Sequence, residues 1–229
     1  AISKATSSTY TVTTASIGHV ITVKLTGSKS GYTGVALTSA PTATITDATF
    51  ASAPVPTVSG TLAVGSTLTA KHATESPSSS VTVSYQWYRQ ATGGDPVASA
   101  KAFKRTYVLA TADAGDTLAV TVTYKKTGYF TATPTSASTM AIWTKATPTV
   151  SGAVGVGDTL TASLGAWAPN ADDGASFTCQ WYEKSGSKTT EIPAATDCTR
   201  YQLQSTDLKK TLTVQVTAHA DGFADLVTT

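Results

Sequence analysis

Charge is scarce: only 13% of the 229 residues are Asp, Glu, Lys or Arg, about half the quarter usual in soluble domains. Sixteen basic side chains against 14 acidic ones leave a net charge of +2, which excludes a dedicated nucleic-acid binder. No apolar run approaches the roughly 18 residues that a membrane helix needs, so no membrane insertion is expected. Ala1–Tyr10 are polar and contain no signal-peptide core, the pattern of a mature or internal segment. His19, His72 and His219 are scattered at unrelated positions, and no Ser-His-Asp or Cys-His spacing occurs. Only Cys179 and Cys198 are present, with no third ligand at a metal spacing. There is no phosphate-binding Gly loop, and Asn170 is not in a sequon. These absences predict no catalysis, no cofactor and no metal.

What is abundant is hydroxyl: Thr occurs 46 times and Ser 24 times. β-Branched residues suit strands and disfavour long surface helices. A hydrophobic content of 41% excludes a disordered chain.

The sequence repeats itself. Pro56-Thr-Val-Ser-Gly-Thr-Leu-Ala-Val-Gly-Ser-Thr-Leu-Thr-Ala70 returns as Pro148 to Ala162 with 11 of 15 positions identical. Tyr85-Gln-Trp-Tyr88 returns as Cys179-Gln-Trp-Tyr182, and Tyr107 to Val122 returns as Tyr201 to Val216. A third copy starts mid-motif: Tyr10, Val12, Gly18, Ile21, Val23, Leu25 and Gly31-Tyr32 match Tyr107, Leu109, Gly115, Leu118, Val120, Val122 and Gly128-Tyr129. The organisation predicted is the C-terminal half of a repeat over 1–55, a repeat over 56–147 and a repeat truncated at its end over 148–229. Thr/Pro linkers fall at about 51–56 and 144–148 and are short enough to be semi-rigid.

Leu118, Val120, Val122 and Tyr124 alternate with Thr117, Ala119, Thr121 and Thr123, and the other copies do the same. Period two with small polar partners predicts half-buried antiparallel strands. Turn signals at Gly93-Gly-Asp95, Gly128, Asp173-Gly174 and Asp221-Gly222 separate them. Each full repeat reads as about seven short strands, the size of an immunoglobulin-like sandwich.

The Pro-Thr-Val-Ser-Gly opening, the Tyr-Gln-Trp-Tyr strand and the Tyr-x-Leu … Asp-x-Gly-x-x-Leu-x-Val-x-Val run resemble bacterial, actinobacterial-type immunoglobulin-like repeats of secreted and cell-surface proteins. Gly165-Ala-Trp167-Ala-Pro169 fits that pattern. The second copy departs from it with Ala73-Thr-Glu75-Ser-Pro77, and Cys179 stands where Tyr is usual. The resemblance implies tandem antiparallel sandwiches in a rod and an extracellular location. It also implies work as a spacer, an adhesive stalk or an accessory module beside a catalytic domain in a longer chain.

The candidate residues have competing readings. Trp87 and Trp181 are expected in the core, with Tyr10, Tyr107 and Tyr201 as structural partners. Trp143, just before Pro148, suits packing at the domain junction. Tyr32, Tyr129 and Phe223 follow a Gly turn in each copy. Together with Trp167 they are candidates for stacking on polysaccharide, or else plugs at the sandwich end. Cys179 and Cys198 close a loop either by a disulfide or as two buried thiols. Asp113 and Asp207, each near a turn, read as capping carboxylates. Asn170-Ala-Asp172-Asp173 is a weak calcium candidate or a solvated turn.

By segment, the net charge is +2 over 1–55, +4 over 56–147 and −4 over 148–229, a pattern compatible with head-to-tail self-association. The expectation is a non-catalytic extracellular spacer or adhesive module. Its rivals are a self-assembling fibre subunit completed by strand addition from a neighbour, and a carbohydrate-binding accessory module of a secreted hydrolase.

Overall fold

The computed structural model describes every residue except Lys101. Among the described residues the only helical segments are three-residue 3-10 turns at Thr14–Ser16, Thr111–Asp113, Ala171–Asp173 and Ser205–Asp207. The protein is all-β and is built of immunoglobulin-like antiparallel sandwiches in tandem. Its contacts divide it into two compact units. One comprises Ala1–Pro54, Ala73–Val83 and Thr123–Pro134; the other comprises Val55–His72, Ser84–Val122 and Thr135–Thr229.

In the first unit, β1 (Lys24–Gly27) pairs antiparallel with β2 (Val35–Thr38), setting Leu25 opposite Leu37. Both residues are largely exposed, and so are Val23 and Val35, whereas the counterparts of Val23 and Leu25, Val120 and Val122, are fully buried. Tyr10, expected in the core, is also exposed, which corrects that expectation. Its counterparts Tyr107 and Tyr201 stack on Trp87 and Trp181 at 5.6 and 5.4 Å, and residues 1–55 contain no Trp to receive Tyr10. Elsewhere in this unit, Tyr124 is fully buried and donates its hydroxyl to the Pro54 carbonyl at 3.2 Å.

The second unit holds most of repeats two and three. In repeat two, β3 (Thr57–Ser59), β4 (Thr67–Lys71) and β7 (Thr106–Val108) form one sheet in the order β3-β4-β7. β5 (Thr82–Gln90), β6 (Val97–Ala98) and β8 (Thr117–Lys125) form the other, in the order β6-β5-β8. Leu68, Ala70, Trp87, Leu109, Leu118 and Val120 fill the core. The indole N–H of Trp87 donates to the Lys104 carbonyl at 2.9 Å, which satisfies the one polar atom this large side chain brings inside.

Repeat three has seven strands: β9 (Thr149–Ser151), β10 (Thr159–Ser163), β11 (Ser176–Ser185), β12 (Lys188–Glu191), β13 (Arg200–Gln202), β14 (Thr211–His219) and β15 (Leu226–Thr228). They form sheets ordered β13-β10-β9 and β12-β11-β14-β15. Across β11 and β14, Cys179 faces Val216 and Trp181 faces Val214, all four buried. Period-two alternation produces this directly, since every second side chain points inward.

Candidate functional site

Each full repeat carries a Tyr–Asp lock. Asp113, 1% exposed, accepts the Tyr107 hydroxyl at 2.9 Å and the Ala110 amide at 2.8 Å through one oxygen. Asp207 likewise accepts the Tyr201 hydroxyl at 3.0 Å and the Gln204 amide at 2.7 Å. Both carboxylates cap turns. Burial first, and then the hydrogen bond to Asp207, push the Tyr201 hydroxyl pKa up to about 12. Burial likewise raises Tyr107. In the first copy Ser16 replaces the carboxylate and lies 3.3 Å from the Tyr10 hydroxyl.

Cys179 and Cys198 form a disulfide within repeat three. Asn170 caps its turn, its side-chain oxygen accepting the amides of Asp172 and Asp173 at 2.8 and 3.2 Å. Among the described residues no group of three or more His, Cys, Asp or Glu is placed to hold a metal. The histidines lie apart: His72 meets the Tyr85 hydroxyl at 3.0 Å, and His219 meets Asp225 at 2.8 Å.

The densest aromatic assembly lies where repeat two meets repeat three. Ala141, Ile142 and Trp143 are consecutive on one extended segment, so adjacent side chains point to opposite faces. Ile142 is fully buried with Leu118 and Val120 in the core of repeat two. Trp143 is fully buried with Trp167 and Trp181 in the core of repeat three. The backbone is held on both sides. Gly115 N–H donates to the Ile142 carbonyl at 2.9 Å, and Trp143 N–H donates to Leu62 at 2.9 Å. Ala141 N–H donates to Gly222 at 2.9 Å, and Thr144 and Ala168 exchange two bonds of 3.0 Å. The Trp143 indole N–H donates to the Ala224 carbonyl at 2.7 Å. Its rings lie 4.8 Å from Phe223 and 5.8 Å, edge-on, from Trp167. Turning one repeat against the other would require withdrawing either Ile142 or the indole from a closed core.

A related joint occurs in the first unit, between the end of the half repeat and the tail of repeat two. Ala48 N–H donates to Gly128 at 2.9 Å, and Phe130 N–H donates to Ala48 at 2.9 Å. Phe50 lies 5.4 Å from Tyr129 and 6.2 Å from Tyr124. Ala48-x-Phe50 therefore plays the part of Ala141-x-Trp143. Here, however, Ile45, which pairs with Gly18, and Phe50 stand five residues apart, so closing the repeat and docking on the next are separate tasks.

These joints correct the ligand-platform reading of three aromatics. Trp167 is buried, its indole N–H given to the Leu164 carbonyl at 2.9 Å. Tyr129 and Phe223 are half-buried and packed on Phe50 and Trp143. They are acceptors for the closing segment of the preceding repeat rather than free stacking surfaces. Tyr32 alone is open, 72% exposed with Lys29 over its ring at 5.2 Å. The role of Phe50 was missed from sequence; the signal was the Ala-x-aromatic spacing before each Pro-Thr-Val-Ser-Gly opening.

Comparisons with protein-family models and with curated proteins give no match. Among solved structures the chain is similar to the FN1-FN3 domains of chicken CNTN1. The two are 17% identical over 84% of this chain and 73% of that one, with a TM-score of 0.29.

Proposed function

We propose that the chain is a non-catalytic spacer segment of an extracellular bacterial protein, a stalk that carries or presents another domain. The observation that supports this reading best is the Ile142–Trp143 segment, adjacent residues committed to the cores of two successive repeats. Such a shared segment transmits orientation from one repeat to the next, which is what a spacer requires and a freely jointed linker does not provide. The Cys179–Cys198 disulfide suits an oxidising location. Small-angle scattering of the full chain tests the reading. Trp143→Ser should broaden the distribution of interdomain distances while leaving strand content intact. An unchanged distribution would overturn the spacer role of the joint.

One observation favours a second reading, the self-assembling fibre. The apolar face formed by Val23, Leu25, Val35 and Leu37 is bare, and strand addition from a neighbour would cover it. Light scattering across a concentration series separates the two. Open-ended growth supports the fibre, and a constant monomer mass supports the spacer. The carbohydrate-accessory reading is weaker, because only Tyr32 of its four aromatics stands free.

A further inference from the structure

Repeat two carries an open hollow of about 390 Å³ whose lining includes Tyr88, Gln90, Pro96, Thr121, Thr135 and Ser138. That volume falls within the roughly 300–1,000 Å³ of small-ligand sites. Tyr88 and Thr121 point outward because their strand neighbours Trp87, Val120 and Val122 are fully buried. Among the described residues none of the side chains lining the hollow is charged. Repeat three treats the same position differently. There Tyr182, the counterpart of Tyr88, donates its hydroxyl to the Gln215 side-chain oxygen at 3.4 Å. In repeat two the shorter Thr121 stands in place of Gln215, and its hydroxyl pairs with that of Thr135 at 2.7 Å. The Tyr88 hydroxyl is left without a hydrogen-bond partner among the described residues. Gln90 gives a side-chain N–H to the Gly94 carbonyl at 2.8 Å, which orients the amide and leaves its oxygen as an acceptor.

We propose that this hollow is a subsite for a hexose unit of a neutral polysaccharide. A pyranose ring has an apolar face of C–H groups and a rim of hydroxyls. The C–H face packs on the Tyr88 ring and Pro96, an aromatic side chain offering an apolar body with a polar tip. The rim exchanges hydrogen bonds with the Tyr88 hydroxyl, the Gln90 oxygen and the hydroxyls of Thr121, Thr135 and Ser138, since a hydroxyl both donates and accepts. With no cation in the lining, nothing favours a carboxylate or a phosphate. One aromatic among several hydrogen-bonding groups also fits a sugar better than a Pro-rich peptide, which docks in an aromatic-lined groove. The site lies within repeat two and goes beyond the spacer reading. It gives one repeat a glycan contact on its flank that the next repeat, with Gln215 in place, does not share.

The test is a titration of the full isotope-labelled chain with cellohexaose, maltohexaose and mannohexaose in turn, followed by amide chemical shifts. The result expected is a saturable shift at Tyr88, Thr121 and Ser138 with at least one of the three. Tyr88→Ala should abolish it. Thr121→Gln, which installs the residue of repeat three on an outward-facing strand position, should weaken it about tenfold or more. The Trp87 indole N–H signal, buried in the core beneath, should stay in place in that variant and so report an intact sandwich. Three results would overturn the site: no saturable shift at those residues up to about 10 mM of any oligomer, equal shifts with hexagalacturonate or hexaproline, or undiminished binding by Thr121→Gln. A negative titration beside a positive scattering result for Trp143→Ser would reject this site and leave the spacer reading in place.

Discussion

The Tyr201 hydroxyl donates to the Asp207 carboxylate at 3.0 Å, and that same carboxylate oxygen holds the Gln204 amide at 2.7 Å. One buried acid thereby ties a strand to the turn that follows it.

The lock gives repeat three an alkaline limit. Tyr201 titrates at about 12 in the folded protein, above the roughly 10 of a free tyrosine. A raised pKa means that folding favours the protonated hydroxyl. The stabilisation is fully present below pH about 10 and is lost as the pH rises through about 12. Unfolding followed by circular dichroism against pH should show this loss, and Tyr201→Phe should remove most of the slope between those values.

Removing the acid is expected to be harsher than removing the hydroxyl. Asp113→Ala leaves the Ala110 amide and the Tyr107 hydroxyl without their shared acceptor, a loss of about 2–3 kcal/mol by the usual cost of orphaned buried partners. Tyr107→Phe should cost about 1 kcal/mol. Equal losses in urea denaturation would mean that the amide bond to Asp113 contributes nothing.

Truncating the shared joint should be expensive. Trp143→Ala removes a fully buried indole, for which about 3–5 kcal/mol is typical. Because the ring belongs to the core of repeat three, thermal unfolding should lower the transition of repeat three more than that of repeat two. The opposite order would contradict the division of Ile142 and Trp143 between the two cores.

Reduction of the Cys179–Cys198 disulfide should lower the stability of repeat three by about 3 kcal/mol through the freedom restored to the unfolded chain. Repeat two has no counterpart bond, and its transition should not move. Calorimetry with and without reductant checks both statements.

Glycine positions offer a paired control. A Cβ at Gly152 would lie 2.8 Å from the Thr159 carbonyl oxygen at φ 136°, whereas at Gly157, φ 90°, it meets nothing within 4 Å. Gly157→Ala should cost about 1 kcal/mol for the left-handed backbone. Gly152→Ala adds a clash with backbone that cannot step aside, and its melting temperature should fall further.

Much of the fold was legible because strand alternation is a local signal. Leu118, Val120 and Val122 announce an inward face without reference to anything distant, and so does the strand containing Trp87. The site was less legible. Ile142 and Trp143 look like two apolar residues in a row, and only the structure reveals that they serve different cores. Tyr10 matched its counterparts perfectly, yet its environment depends on a Trp strand that residues 1–55 do not contain. The fate of the two cysteines stayed open in the sequence because pairing is a matter of distance, and β11 and the segment between β12 and β13 bring their Cα atoms to 5.1 Å. The Lys104 carbonyl receives the Trp87 indole as the Asp197 carbonyl receives that of Trp181, a correspondence of carbonyls that no side-chain pattern in the sequence marks.

The disulfide has a mechanical consequence. Tension applied along the chain passes through Cys179 and Cys198, which are 19 positions apart, and bypasses the loop between them. When repeat three yields under load, that loop stays coiled, and its contour of roughly 65 Å is withheld from the extension. Of two sandwiches of nearly equal length, the oxidised one should therefore lengthen less when pulled open, and a reductant should release the difference as a longer step.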